Sequence, residues 1–240
     1  MTAGEAPVRV VGLDDAGAPV VAFVLAHGED PQTGLRSRGV EPLEALRASG
    51  SVGTHGLTLE YRVGAGNGIP LKQRQPQYQR APVDPDLVRR PEETATTHQR
   101  VAVYAVVRSS RGILLTENSG RTNSPGRWAL PGGGMDRGEG PEQSLHREVW
   151  EETGQRVVLA GLATVTTQHW VGRAPDGRLE DFHAVRIIYR ADCPEPTDPV
   201  VHEVEGTTAD AAWVPVGQLP LVGLTRTWAD IVLELTAAGA

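Results

Sequence analysis

The pattern of hydrophobic and polar positions predicts a succession of strands and helices along the chain. In the first third of the sequence it predicts a short helix at 42–47 and strands at 8–11, 20–25 and 57–63. In the remainder it predicts helices at 141–153 and 225–238 and strands at 101–107, 113–116, 159–167, 183–189 and 212–216. This mixture of elements indicates a protein that contains both helices and strands.

Breaks in the pattern predict how the chain divides. Between the two groups of elements the sequence is polar and carries the prolines Pro76, Pro82, Pro85 and Pro91. This composition is typical of an extended linker. We therefore expect a small α+β domain at 1–75, a linker at 76–97 and a larger domain at 98–240. Exposed strand edges in small domains often pair with a second copy, so a homodimer is a further expectation.

The helix predicted to start at Pro141 carries an unusual concentration of charge. Proline at the first helical position costs no hydrogen bond, and Gly154 suits the left-handed conformation that ends a helix. At about 100° per residue, Glu148, Glu151 and Glu152 fall within an arc of roughly 100° on one face. These carboxylates repel one another unless a cation binds there, and Mg²⁺ is the usual cation when phosphate is the other ligand.

The residues around these glutamates match a known motif. The stretch from Gly133 to Gln155 resembles the Nudix box, Gly-x5-Glu-x7-Arg-Glu-U-x-Glu-Glu-x-Gly-U, in which U is a bulky aliphatic residue. The matching positions are Gly133, Glu139, Arg147, Glu148, Val149, Glu151, Glu152 and Gly154. Gln155 replaces the final aliphatic residue, a departure that affects packing rather than a metal ligand. The sequence resembles Nudix hydrolases over residues 98–240, which implies a Nudix α/β/α sandwich with a mixed sheet after the small α+β domain.

The resemblance implies roles for the residues of the box. Glu148, Glu151 and Glu152 are expected to be catalytic and to bind Mg²⁺, for which Mn²⁺ can substitute. A main-chain carbonyl near Gly133 is expected to complete the metal coordination. Arg147 lies about 40° from Glu151 around the helix and is expected to orient its carboxylate. Glu139 is expected either to bind metal or to brace the loop.

Residues outside the box are expected to complete the active site. A carboxylate that serves as general base or further ligand is expected at Glu205 first and at Glu203 next, with Glu180 and Asp181 as a second option. Trp170, fifteen residues after the box, is expected to stack on a substrate base, and a place in the core is the equal alternative.

The reaction implied by the resemblance is hydrolysis of a diphosphate linkage in a nucleoside diphosphate derivative. Signatures of NADH-selective and diadenosine-polyphosphate enzymes are absent, and the proline of many ADP-ribose enzymes is replaced. A dinucleotide or ADP-ribose-like substrate that yields AMP is favoured, and a tailoring step in a biosynthetic pathway fits equally well. The alternatives are a hydrolase that sanitises nucleoside triphosphates and a nucleotide-binding sensor without catalysis. An isoprenoid diphosphate isomerase would need a cysteine ahead of the box, whereas Cys193 follows it.

Composition and charge limit the classes of binding partner and the cellular setting that are expected. A net charge of −7 without a basic tract argues against binding of long nucleic acid. No apolar run approaches the ~18 residues of a membrane span, and the N-terminus lacks the pattern of a signal peptide. With a single cysteine, a reducing cytoplasm is the expected setting. The seven histidines show no metal-ligand spacing, so no second metal site is predicted.

Overall fold

The computed structural model describes residues 7–53, 56–66, 81–85, 87–90, 92–174, 176–203 and 206–237. Its strands are β1 Val8–Leu13, β2 Pro19–Val24, β3 Val40–Ser51, β4 Gly56–Ala65, β5 Thr96–Ser109, β6 Gly112–Asn118, β7 Trp128–Ala129, β8 Gly132–Gly134, β9 Val158–Arg173, β10 Leu179–Asp192 and β11 Thr208–Val214. Its helices are α1 Pro31–Ser37, α2 Pro141–Thr153 and α3 Arg226–Ala237, with a 3₁₀ helix at Val216–Leu221. Most of the predicted elements are therefore confirmed.

The strands form two sheets. The first has the order β2-β1-β4-β3 and is mixed, because β1 runs parallel to β4 and antiparallel to β2. The second has the order β11-β6-β5-β10-β9, with β7 paired to β6 and β8 paired to β5. The chain divides into two compact units, the first made of residues 1–102, 135–141 and 164–187, the second of 103–134, 142–163 and 188–240.

The first unit contains the four-stranded sheet at 8–65. Alternation of side chains in β1 and β4 buries Val8, Val10, Leu57, Leu59 and Tyr61 on one face. In the segment expected to be a linker, Ala81 packs with Val171 and Leu179, and Leu87 and Ala95 cover this cluster. The described part of that segment is thus held against strands of the same unit.

The prediction of a helix at 42–47 is wrong, because these residues belong to strand β3. This strand pairs with β4 along its length, from Val40 opposite Ala65 to Ser51 opposite Gly56. Bulges between Pro42 and Glu44 and between Ala45 and Arg47 interrupt the pairing. Each bulge adds a residue to the strand, so the apolar positions come to lie three apart and imitate a helical period.

A short helix in the first unit was missed. Helix α1 begins after Asp30, whose carboxylate accepts a hydrogen bond of 2.8 Å from the main-chain N–H of Thr33. Pro31 occupies the start of the helix. An aspartate followed by proline is a known signal for a helix start, and the helix is too short to show a clear hydrophobic period.

The second unit has its core between strands and α3. Trp228, Val232 and Leu235 pack on buried strand residues that include Ile113 and Ile188. Ile231 is partly buried against the same cluster. The prediction that this face of the last helix serves packing is confirmed. No helix in the described part of the chain is long and apolar enough to cross a membrane.

Candidate active site

The glycines of the short strand β8 lie next to the glutamates on the inner face of α2. Leu145 and Val149 are fully buried and fix this face of the helix, which ends at Gly154 with φ of +65° as predicted. A Cβ atom added to Gly133 would lie 2.6 Å from Oε2 of Glu148. Gly132 has φ of +136°, and a Cβ there would lie 2.1 Å from the carbonyl oxygen of Val103. Gly132 is therefore required by its own main-chain conformation and contacts, and the absence of a side chain at Gly133 lets Glu148 lie directly against the main chain.

One arginine holds two of the three glutamates. Nη1 of Arg147 lies 3.0 Å from Oε1 of Glu148 and 3.0 Å from Oε2 of Glu151. Nη2 of the same side chain donates at 3.3 Å to the carbonyl of Gly134 and at 3.3 Å to the hydroxyl of Ser144. The expected contact between Arg147 and Glu151 is present, and the arginine also ties the helix to the glycine loop.

Glu152 is the most deeply buried of the glutamates, with 5% of its surface exposed. Its Oε2 accepts a 2.8 Å hydrogen bond from the N–H of Gly132, and its Oε1 accepts one from the hydroxyl of Thr208. Burial raises the pKa of Glu152 to about 8, and these two hydrogen bonds offset only part of that effect. Thr208 was not identified from the sequence, because it lies 56 residues from Glu152 and belongs to no motif.

The carboxylate of Glu148 is also in an unfavourable electrostatic environment. Burial raises its pKa above the ordinary value, and the charge of Arg147 opposes this change without cancelling it. The charges of Glu151 and Glu203 raise it further. Negative charge is therefore in excess on this face of α2.

Of the carboxylates expected outside the box, Glu203 lies in the site and Glu205 lies outside the described residues. The N–H of Glu203 donates at 3.0 Å to the carbonyl of Glu151, and its charge acts on the pKa of both Glu148 and Glu152. The second option belongs to the first unit: Glu180 pairs with His98 and Arg178, and Asp181 pairs with two histidines.

Three other residues singled out from the sequence have defined surroundings. The ring of Trp170 packs on Phe182 with a centroid distance of 4.5 Å. The carboxylate of Glu139 accepts a 3.1 Å hydrogen bond from the N–H of Asp136, within its own loop. Gln155 is buried, and its amide bonds to Thr197 and Thr153. Gln155 therefore forms polar contacts after the helix in place of the expected packing of an aliphatic side chain.

The residues of this site fit a bound divalent cation, although their carboxylates are turned to protein partners in this structure. Glu148 and Glu151 face Arg147, and Glu152 faces Gly132 and Thr208. Arg147 pairs with Glu148 and Glu151, and burial disfavours ionisation of Glu148 and Glu152. A hard cation bound by these oxygens would supply the missing positive charge.

The family model of the NUDIX domain matches residues 98–235 of this chain. The protein belongs to the Nudix family. The nucleoside triphosphatase NudI of Salmonella schwarzengrund (strain CVM19633) is 32% identical over 129 residues, which are 52% of this chain and 89% of that relative. NudI of Salmonella newport (strain SL254) is 31% identical over 129 residues, with the same coverage of 52% and 89%.

Solved structures of Nudix proteins resemble the chain over a similar length. The MutT protein of Methanosarcina mazei Go1 has 21% identity and a TM-score of 0.46, over 60% of this chain and 98% of that one. The MutT NUDIX hydrolase of Burkholderia pseudomallei has 29% identity and a TM-score of 0.42, over 57% of this chain and 96% of that one. The expected Nudix fold is confirmed, and the chain is a Nudix hydrolase, an enzyme that acts on phosphorus-containing anhydrides.

Proposed function

We propose that this Nudix hydrolase cleaves a diphosphate linkage of a nucleoside phosphate with Mg²⁺ held by Glu148, Glu151 and Glu152. The observation that supports this proposal is that burial disfavours ionisation of Glu148 and Glu152, which lie directly against Gly133 and Gly132. Mn²⁺ binds the same type of oxygen ligands and is expected to substitute.

In this mechanism the protein positions the carboxylates that bind the cation and accepts a proton from the attacking water. Glu148, Glu151 and Glu152 would hold the cation, which would neutralise charge on the diphosphate and lower the pKa of the attacking water. Arg147 keeps Glu148 and Glu151 in position through its two 3.0 Å contacts. Glu205 accepts the proton of the water, or Glu203, whose charge acts on Glu148 and Glu152, accepts it instead. Water attacks phosphorus directly, and the leaving phosphate departs without a covalent enzyme intermediate.

Two substrate classes follow from different observations. Similarity to relatives named as nucleoside triphosphatases favours a nucleoside triphosphate, which would be cleaved to a nucleoside monophosphate and pyrophosphate. The sequence beyond the box favours a nucleoside diphosphate derivative of the dinucleotide or ADP-ribose type, which would yield AMP. The two classes share one reaction, attack of water on a bridged phosphorus, and differ in the group that leaves.

A panel of both substrate classes with millimolar Mg²⁺, analysed by mass spectrometry of the products, distinguishes them. Release of pyrophosphate identifies a triphosphate as substrate, and release of AMP with a second phosphorylated fragment identifies a diphosphate derivative. Glu151→Gln is expected to abolish turnover, whereas Glu142→Gln, an exposed glutamate in the first turn of the same helix, is expected to retain it. Absence of hydrolysis across both classes would overturn the catalytic proposal in favour of a nucleotide-binding sensor.

Other properties of the protein remain predictions from the sequence. We propose the domain boundaries 1–75, 76–97 and 98–240, a homodimer, and a reducing cytoplasmic setting in which the buried thiol of Cys193 stays free. Light scattering of the full chain tests the homodimer, and a mass of one chain would contradict it.

Contact of Trp170 with the substrate base is proposed from the position of this residue after the box. Trp170→Ala should then raise KM with little change in kcat.

A further inference from the structure

The first unit contains a cluster of histidines and one aspartate that the hydrolase motif does not use. His27 lies in the turn after β2, His169 lies in β9, and Asp181 lies in β10. Oδ1 of Asp181 is 3.1 Å from Nε2 of His27 and 2.6 Å from Nε2 of His169. Segments that are remote in sequence therefore bring two imidazole nitrogens and one carboxylate oxygen together.

The spacing of these atoms is close to that of ligands around a small metal ion. One ligand atom from each residue lies within 4.8 Å of the others. A tetrahedral Zn²⁺ with bonds of about 2.0–2.2 Å separates its ligand atoms by about 3.3 Å. Small rotations of the two imidazoles would thus open the space that an ion needs. Elsewhere in the described part of the chain, no other group of three such side chains meets this spacing.

The main chain packs against one of the two imidazoles, and the cluster is partly exposed to solvent. A Cβ atom added to Gly28, which has φ of +75°, would lie 2.4 Å from Nδ1 of His169. The main chain of the turn therefore packs directly on this ring. The side chains of His27, His169 and Asp181 are 19%, 10% and 13% exposed, so the cluster is in contact with solvent.

A third histidine closes the inner side of the cluster. His183 follows Asp181 by two residues in β10, so both side chains lie on the same face of the sheet. Its ring is fully buried, and its centroid lies 5.4 Å from that of His27 and 6.0 Å from that of His169. Nδ1 of His183 is 3.0 Å from Oε1 of Gln99, which fixes the ring.

Two imidazole nitrogens and one carboxylate oxygen are the ligands of a borderline cation such as Zn²⁺ rather than of Mg²⁺. We propose that His27, His169 and Asp181 bind a divalent transition-metal ion of the Zn²⁺ class, with a remaining position open to water. This ion would join the turn after β2 to the neighbouring strands β9 and β10 of the same unit. The proposal does not depend on the hydrolase reaction, because none of these residues belongs to the box.

The experiment measures metal bound to the full chain after loading with Zn²⁺ and removal of excess ion in millimolar Mg²⁺. One equivalent of Zn²⁺ is expected by elemental analysis, and Co²⁺ loaded in its place is expected to show visible absorption typical of nitrogen coordination. Asp181→Asn is the sharpest variant, because asparagine keeps an oxygen that accepts the same hydrogen bonds but loses the charge that binds metal. Asp181→Asn and His169→Gln are expected to lose the Zn²⁺.

Two control variants separate this site from other sources of binding. His146→Gln removes an exposed histidine of α2, and Glu151→Gln alters the box; both are expected to keep the equivalent of Zn²⁺. Retention of Zn²⁺ by Asp181→Asn, or its loss in Glu151→Gln, would place the ion elsewhere and overturn the proposal. Absence of bound Zn²⁺ from the wild type would also overturn the proposal, because the three residues would then form only hydrogen bonds with one another. If a variant fails to fold, the nitrogen ligands are tested by X-ray absorption of the Zn²⁺-loaded wild type, where oxygen-only coordination would contradict the assignment.

Discussion

At the scale of single residues, Glu152 shows how the surroundings determine the charge of a side chain. It is nearly buried, its two oxygens accept hydrogen bonds from Gly132 and Thr208, and burial raises its pKa to about 8. Such a carboxylate is mostly protonated at neutral pH, and nearby positive charge favours its ionised form. A cation bound by the box would therefore be coupled to the ionisation of this residue.

We expect Glu152→Gln to keep the fold and to lower turnover by about two orders of magnitude or more. Glutamine has the same shape, so no cavity forms, but it cannot supply the charge that holds the cation. Steady-state kinetics at saturating Mg²⁺, with circular dichroism as the check on folding, measure this. Near wild-type turnover would show that Glu152 is not a metal ligand.

Gly133→Ala is expected to reduce kcat/KM by an order of magnitude or more, because small displacements of reacting groups are costly. The added methyl group would lie 2.6 Å from the carboxylate of Glu148, so this flexible side chain must move. Since the loop itself can stay, the melting temperature should change little. Gly217→Ala is a matched control, because a Cβ there meets nothing within 4 Å. Equal activity of both variants would show that the position of Glu148 is not critical.

The residues of the box could be found from the sequence because their spacing is local. Glu148, Glu151 and Glu152 lie on one helix, and helical geometry alone gives their relative directions. Thr208 and the His27 cluster, which consists of His27, His169 and Asp181, could not be found in this way. His27 and Asp181 are 154 positions apart, and only the fold brings them together. The histidines therefore showed no metal-ligand spacing in the sequence although two of them share one carboxylate in the structure.

At the scale of elements, Gln155 replaces the aliphatic residue that ends the box and forms a small polar network after α2. Its Oε1 accepts from the N–H of Thr197 at 3.0 Å, and its Nε2 donates to the carbonyl of Thr153 at 3.1 Å. The amide is 2% exposed. The segment that carries Thr197 is thus tied to the end of the helix by an amide where the family has packing of an aliphatic side chain.

Gln155→Leu, which restores the aliphatic residue of the motif, is expected to destabilise the protein by about 1–3 kcal/mol, because buried groups lose their partners. Urea unfolding measures the change, and Gln143→Leu, at an exposed position of the same helix, is the control. A leucine variant as stable as the wild type would show that the network adds nothing beyond apolar packing.

The pair of Glu93 and Arg173 joins the segment before β5 to the end of β9. Both carboxylate oxygens accept from the guanidinium at 2.8 Å, and these hydrogen bonds lower the pKa of Glu93 to about 2. A pKa that is lower in the folded state gives stability that is present above the ordinary value and is lost as pH falls toward 2. The contribution is small because the pair is solvent-accessible and screened by salt.

Glu93→Gln is therefore expected to lower the melting temperature at pH 6, with a difference from wild type that shrinks between pH 4.5 and 2. The exposed neighbour Glu92→Gln should show no such dependence on pH. Thermal unfolding at low salt across this range is the measurement. A difference that stays constant with pH would mean that the effect comes from packing rather than from charge.

At the scale of the whole molecule, the sequence predicted the α/β class, the Nudix fold and nearly all strands. The wrong helix at 42–47 and the missed helix α1 lie in the first unit, where no motif constrains the interpretation, and the second unit differs only in short elements such as β8 and the 3₁₀ helix. The bulges of β3 produced an apparent helical period at Leu43 and Leu46, whose side chains are 59% and 40% exposed. Periodicity reports which positions face the core only when each strand is regular.

Cations should affect the stability of the whole molecule through the box. The excess of glutamate around Arg147 costs electrostatic energy, which a bound cation relieves. An ion that binds only the native state stabilises it by about 2.7 kcal/mol at a hundredfold excess over Kd. We expect millimolar Mg²⁺ or Mn²⁺ together with a non-hydrolysable diphosphate analogue to raise the melting temperature, since substrate phosphates complete the coordination.

Variants separate this effect from that of the His27 cluster. Glu151→Gln should abolish the rise in melting temperature with Mg²⁺ and analogue, because it removes a carboxylate of the box. His169→Gln should retain it, because imidazole is a poor ligand for Mg²⁺ and the residue lies outside the box. With Zn²⁺ alone, Glu151→Gln should retain the rise in melting temperature, and His169→Gln should lose it. If neither Mg²⁺ nor Mn²⁺ raises the melting temperature of the wild type in the presence of the analogue, then the glutamates are not a metal site. The proposed mechanism then loses its physical basis.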